Sequence, residues 1–351
     1  MPAVKIRLRM GYSDVDEQER LNARITEITG WPPRGRVEII TDTSDWLKIT
    51  RGCIVRLGGR DYIIKGNEYE RRFGIQDQPK YWVFSAFDME TGRKKIIKTV
   101  FHEEFNVHIG VFKIHCYRSP EKEAKVLDLV RGDERFMQGY TALDDQKNHV
   151  RIIDFIPGKT LFNYIFNVPK PHEQYYYEDL PGILWKLIDC VEAIELLHEN
   201  KLCHGDIRND HIIIDAETGK YRWIDFDLNQ HVSDFDLWSI GNILNYAAGK
   251  GITAFNNVLK SELFSPEVKQ SLTGDDASGF FEYRIMNLAK LYPYISPKLS
   301  DMLLHFTVRP EKTYINMRGF VEDFHELLYK EFLSGKKELE NPSPDAAAEL
   351  W

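Results

Sequence analysis

The chain has 351 residues, is 43% hydrophobic and 28% charged, and carries a formal net charge of −8. That size and balance fit a globular protein with core enough for two domains or one bilobal unit, and the acidic charge argues against nonspecific binding to nucleic acid or an anionic membrane. No apolar run approaches the ~20 residues of a bilayer span, and MPAVKIRLRM lacks the apolar stretch of a secretory signal. Four scattered cysteines, Cys53, Cys116, Cys190 and Cys203, form no C-x-x-C pair and predict neither a disulfide framework nor a zinc knuckle. The expectation is a reducing, cytoplasmic location. Cys203 beside His204 reads as a packing residue, since adjacent residues of an extended segment face opposite ways.

The first half is strand-rich. VKIRLRM reads as a strand and DVDEQERLNARITEITG as a short helix ending at Gly30. WLKITRGCIVRLGGRDYIIKG alternates β-branched residues around Gly58-Gly59, a hairpin signal. KYWVFSAFDMETGRKKIIKTVF forms a second hairpin turning at Glu90-Thr91-Gly92. After EKEAKVLDLV, a short amphipathic helix, VRIIDFIPG is a strand closed by Pro-Gly.

From about Leu161 the pattern turns helical. DLPGILWKLIDCVEAIELLHEN sets Ile183, Leu184, Leu187, Ile188, Val191, Ile194 and Leu197 at helical spacing. Two short strands, IIID and YRWID, interrupt this half around a Glu217-Thr218-Gly219 turn, and helices resume at DFDLWSIGNILNYAAG and run to about Phe332. The expected fold is therefore α+β and bilobal with a cleft: a β-rich N-terminal extension over 1–60, a β-rich N-lobe over 61–157, a helical C-lobe over 158–333 and a disordered tail over 334–351.

Chemistry concentrates on the polar strand-loop-strand of the helical half. HGDIRNDHIIID (residues 204–215) and WIDFD (residues 223–227) place Asp and His in apolar company, as a site for phosphate and metal requires. Together with the element order, these residues resemble the protein-kinase-like superfamily over residues 61 to about 332. FSAFDMETGRKKIIKTV is similar to the hairpin that ends in V-A-I-K, which implies Lys98 as the α/β-phosphate lysine. KEAKVLDLV offers Glu123 as the helical Glu paired with it, with Glu121, Glu103 and Glu104 as alternatives. His204-Gly205-Asp206 resembles the catalytic loop, so Asp206 is expected to orient the acceptor hydroxyl and Arg208 to reach the γ-phosphate. Asp225 matches the metal-binding Asp of D-F-G and Phe226 its packing Phe. Asp236 in DFDLWSIGNIL matches the Asp that buttresses the catalytic-loop backbone, with His204 as further support. Asp154 and Ile156, closing the strand VRIID, complete the implied ATP-binding set with Phe73 and Gly74.

Four departures from that pattern shape the expectation. His211 stands where Asn would be the second metal ligand, as in the lipopolysaccharide heptose kinases, and its softer imidazole suits Mn²⁺ as well as Mg²⁺. Asp227 replaces the Gly of D-F-G and brings another carboxylate to the metal. Only ten residues separate Asp225 from Asp236, too few for an activation segment. Its usual Arg partner is missing as well, with Thr313 at that place, and Gly205 stands where many kinases carry Arg, as in the aminoglycoside phosphotransferases. The glycine-rich loop is reduced to Gly66, Phe73-Gly74 and Val83, with Arg71, Arg72 and Lys80 as candidate phosphate contacts. The resemblance implies an ATP-dependent phosphotransferase using Mg²⁺ or Mn²⁺, whose acceptor is a protein Ser/Thr hydroxyl or a small molecule. The competing class is a pseudokinase acting as a nucleotide-binding or scaffold module.

Overall fold

The computed structural model describes residues 12–33, 35–70, 78–109, 112–230, 232 and 235–333. The strand expected over 4–10, the tail 334–351, and Arg71, Arg72, Phe73 and Gly74 lie outside the described residues. The chain divides into two compact units, residues 1–101 with 139–155, and residues 102–138 with 156–351.

The first unit is built on a seven-stranded sheet. Its strands are β1 (Ile39–Ile40), β2 (Ile54–Leu57), β3 (Arg60–Glu70), β4 (Gln78–Asp88), β5 (Lys94–Lys98), β8 (Gly139–Leu143) and β9 (His149–Asp154), in the order β1-β2-β3-β4-β5-β9-β8. Period-two alternation gives each face its own core. Val55, Tyr62, Ile64, Phe84, Ala86, Ile97, Val150 and Ile152 bury on one face. Ile54, Ile63 and Met89 bury on the other, beneath helix α1 (Tyr12–Thr29) through its Ile25. Arg24 anchors α1 further, donating to the Met89 and Glu90 carbonyls at 2.9 and 2.8 Å. Both expected hairpins are present: Gly58 and Gly59, at φ +56° and +79°, join β2 to β3, and β4 turns into β5 through Glu90-Thr91-Gly92. Residues before 60 thus contribute one long helix and two strands of the common sheet. Asp144 ties them in from the β8–β9 turn, accepting from the Thr43 N–H and hydroxyl, each at 2.7 Å.

The second unit carries two three-stranded sheets, β13-β7-β6 and β10-β11-β12. The first joins β6 (Glu104–Ile109), β7 (Phe112–Arg118) and β13 (Leu228–Gln230); the second joins β10 (Gly158–Thr160), β11 (Ile212–Asp215) and β12 (Tyr221–Trp223). Helix α2 (Pro120–Leu129) follows β7 directly, with Ser119 capping the Lys122 N–H at 3.1 Å and Pro120 at its first position. After α3 (Leu161–Phe166) and α4 (His172–Glu178), the long helix α5 (Leu180–Glu199) buries the apolar stripe expected from its spacing. The Trp223 indole, fully buried, donates to the Cys190 carbonyl of α5 at 2.9 Å and so fixes β12 against it. Helix α6 (Phe235–Ala248), α7 (Phe255–Lys260), α8 (Pro266–Ser271), α9 (Pro297–Leu304) and α10 (Met317–Glu331) complete the unit. Among the described residues no helix is long and apolar enough to cross a membrane.

Candidate functional site

The β11–β12 hairpin sets the loop before it beside the turn after it. The Ile224 N–H donates to the His211 carbonyl at 3.0 Å, so residues 204–211 and 224–227 run together. Gly205 takes φ +84°, and a Cβ there would stand 2.1 Å from the Leu228 carbonyl oxygen. Glycine is required on both counts.

Asp236, in the first turn of α6, holds the loop backbone. Its Oδ2 accepts from the His204 N–H at 2.8 Å and from His198 Nε2 at 2.9 Å, and its Oδ1 accepts from the Gly205 N–H at 2.9 Å. Burial alone would raise this carboxyl's pKa, but the His198 hydrogen bond, the nearby His204 and the Gly205 N–H hold it below the usual carboxylate range. Asp236 is therefore an anion fully engaged in positioning. The fully buried His204 accepts the Asp206 N–H on Nδ1 at 3.3 Å, and burial pushes its pKa down to about 3. It packs against Trp223 and Phe226, and Phe226 lies in turn against Phe136 at 5.7 Å.

Asp206, His211 and Asp225 lie together in this unit. His211 Nδ1 donates to the Asp206 carbonyl at 2.7 Å, so of its two ring nitrogens Nε2 is the one able to offer a lone pair. That Nε2 stands 3.7 Å from Asp225 Oδ2, and the Asp206 carboxylate lies 3.7 Å from Nδ1. Asp225 is held in the left-handed region at φ +70°, a strained setting for a residue other than glycine. Burial raises the Asp206 pKa, opposed by His211 and Arg208. His211 and Asp225 are the residues that would hold a divalent cation here, where it would supply charge to neutralise phosphate oxygens. Among the described residues no three His, Cys, Asp or Glu side chains could hold a metal by themselves. Two protein ligands agree with a cation completed by phosphate oxygens and water.

Two residues expected at the site carry strong partners. Asp227 gives Oδ1 to Arg118 at 2.7 Å, and Arg118 also donates to Glu103 at 2.8 Å. Burial would lower the Arg118 pKa, but Asp227, Asp225 and Glu103 raise it well above its ordinary value. Arg208 embraces Asp210 through Nε at 2.9 Å and Nη2 at 2.5 Å. Burial would raise the Asp210 pKa, yet His211 and Arg208 hold it down. Glu123 is fully buried on α2 and Ile156 is buried just after β9.

In the first unit, Lys98 ends β5 opposite Val83 and Arg151 and is only 6% exposed. Asp154 ends β9, its carboxylate paired with Lys95. A groove of about 600 Å³ lies along β3 and β4, lined among others by Trp46, Gly66, Tyr81, Ser85 and Lys94; Lys98 does not line it.

Sequence reading missed the strands β6, β7 and β13, the pairing of Arg118 with Asp227 and Glu103, and the burial of Lys122 on α2. A signal was available, since Phe105, Val107 and Ile109, then Phe112, Ile114 and Cys116, alternate on either side of Gly110. Lys122 had none, because a lysine beside the expected Glu reads as a solvated helix residue.

No family model matches the chain. It is 27% identical over 159 residues, 45% of this chain and 50% of the relative, to a protein of Acanthamoeba polyphaga mimivirus named as a serine/threonine-protein kinase. A Dictyostelium discoideum protein named likewise is 25% identical over 114 residues, 31% of this chain and 8% of the relative. The carbon catabolite-derepressing protein kinase of Candida tropicalis is 24% identical over 155 residues, 42% of this chain and 22% of the relative. The chain thus spans half or less of these relatives' length. It is distantly similar to serine/threonine protein kinases, and its mixed α+β architecture is compatible with a kinase-like fold.

Proposed function

We propose that the chain is an ATP-dependent phosphotransferase that moves the γ-phosphate to a hydroxyl group. The observation that carries the proposal is the set Asp206–His211–Asp225: a half-buried carboxylate with raised pKa beside an imidazole whose Nδ1 is committed to the Asp206 carbonyl and whose Nε2 faces a second carboxylate. Asp206 would orient the acceptor hydroxyl and take its proton, a role that a raised pKa favours. His211 and Asp225 would hold Mg²⁺ or Mn²⁺, with Asp227 as the further carboxylate; the cation would neutralise developing phosphate charge. Lys98, Glu123, Asp154 and Ile156 are proposed to serve the nucleotide, and Arg208, once released from Asp210, the transferred phosphate. Asp236, His204 and Phe226 hold the loop and turn. The expected location is the cytoplasm.

The acceptor reading rests on β13. Directly after Asp227 the chain enters this strand, which pairs with β7, and α6 begins at Phe235. That course leaves little chain to serve as a platform for a peptide, which favours a small-molecule hydroxyl over a protein Ser/Thr. A second reading, a nucleotide-binding scaffold, draws on the engagement of Arg208 with Asp210 and of Asp227 with Arg118. Incubation with ATP and Mn²⁺ separates the two. The enzyme releases ADP and loses this on Asp206→Asn, whereas the scaffold is stabilised by nucleotide without turnover.

A further inference from the structure

The ammonium of Lys122 occupies an unusual place. This side chain projects from the first turn of α2, is only 6% exposed, and donates to the His204 carbonyl at 2.8 Å and also to the Leu228 carbonyl. A buried ammonium is tolerated only where acceptors take its hydrogens, and here both acceptors are backbone. One belongs to the loop that carries Asp206, and the other follows the turn that carries Asp225. A Cβ built on Gly205 would meet the Lys122 nitrogen at 3.0 Å, so the lysine fills the space in which a side chain at 205 would begin.

The same helix is stitched to the turn at its start. The Ser119 N–H donates to the Asp227 carbonyl at 2.7 Å, Arg118 pairs with the Asp227 carboxylate at 2.7 Å, and Arg118 lies in register with Leu228 in the β7–β13 ladder. These contacts reach only the turn. Lys122 alone among them also reaches the loop.

We infer that Lys122 is a positioning residue that clamps the Asp206 loop to the Asp225 turn, so that the two carboxylates are held in register. The inference deepens the phosphotransferase reading and rests on it for its kinetic consequence, but the clamp itself is observable without catalysis. Lys122 holds the two segments together by donating to one carbonyl from each. Without it, two buried carbonyls lose their donor and the loop and turn can separate.

The test compares full-length wild type with Lys122→Met, Lys122→Gln and Lys122→Arg. Amide hydrogen exchange is measured without nucleotide, and kcat and ATP KM are measured with Mn²⁺. The clamp predicts faster exchange in Lys122→Met around 204–206 and 228–230, with α5 and α10 as protected as in wild type. It further predicts a kcat loss of about tenfold or more at an ATP KM within about threefold, with partial rescue by arginine. Unaltered exchange at both segments, or a wild-type kcat in Lys122→Met, overturns the clamp. Should Lys122→Met and Lys122→Gln both unfold globally, Lys122→Arg decides: exchange at both segments equal to wild type overturns the inference, and faster exchange confined to them supports it. A wild type without turnover overturns the phosphotransferase reading, while the exchange result still stands or falls by itself.

Discussion

His211 Nε2 faces Asp225 Oδ2 at 3.7 Å, while the opposite ring nitrogen is committed to the Asp206 carbonyl at 2.7 Å. One side chain thereby links the proposed acceptor-orienting residue to the proposed cation ligand. Because Nδ1 carries the proton, only Nε2 has a lone pair to offer. His211→Ala should weaken the apparent cation affinity by about 10- to 100-fold. His211→Asn, which supplies an amide oxygen, should shift preference from Mn²⁺ toward Mg²⁺. Titration of each metal at saturating ATP measures both.

Gly205→Ala should be among the most damaging small substitutions in the loop. The new methyl meets the Leu228 carbonyl oxygen at 2.1 Å, in a backbone conformation at φ +84° that alanine resists. The expected loss is roughly 2 kcal/mol or more, read from urea denaturation.

Asp236→Asn replaces a buried anion that accepts three hydrogen bonds with a group whose amide would oppose one of those donors. Such a change costs about 2–4 kcal/mol of stability. In the protein that remains folded, kcat should fall while ATP KM changes little, since Asp236 is assigned to the loop backbone. Steady-state kinetics below the variant's melting temperature check this.

A pH dependence of stability follows from His172, whose ring stacks on Tyr292 at 3.5 Å and bonds the Tyr294 hydroxyl and the Ala248 carbonyl, each at 2.8 Å. Burial pushes its pKa down to about 4 against the ordinary 6.5; the Ala248 bond opposes this and Lys250 adds to it. The unfolded chain therefore binds a proton first as pH falls. The contribution is complete above about pH 6.5 and is lost progressively toward pH 4, on the order of 3 kcal/mol at most. Denaturation of wild type and His172→Gln across this window should show a flatter profile in the variant.

The parts of the fold legible in the sequence are those where local pattern and turn chemistry agree. Gly58-Gly59 and Glu90-Thr91-Gly92 marked two hairpins, and the apolar stripe of residues 183–197 marked the longest helix of the second unit. The helix ending at Gly30 was equally readable, since this residue's φ of +75° is the left-handed stop that glycine accepts. Residues before 60 were expected to form a separate extension because pairing partners distant in sequence leave no local mark. β1 and β2 belong to the same sheet as β3, and Asp144 reaches Thr43 across a hundred residues of chain.

At the candidate site, residue types singled out Asp206, His211 and Asp225, carboxylates and an imidazole amid Ile and Trp, and the structure sets the three side by side. Their engagements were hidden. Arg208 with Asp210, and Asp227 with Arg118, depend on side-chain geometry that spacing does not record. Lys122 was hidden more deeply, since its value comes from burial against two carbonyls rather than from its identity.

The central claim is transfer of the γ-phosphate, and mass spectrometry of products after incubation with ATP and Mn²⁺ tests it most directly. The account predicts ADP with a phosphorylated acceptor or a phosphorylated chain, and loss of both in Asp206→Asn and Asp225→Asn. Intact ATP after prolonged incubation with candidate protein and small-molecule acceptors, or AMP with pyrophosphate in place of ADP, would contradict it.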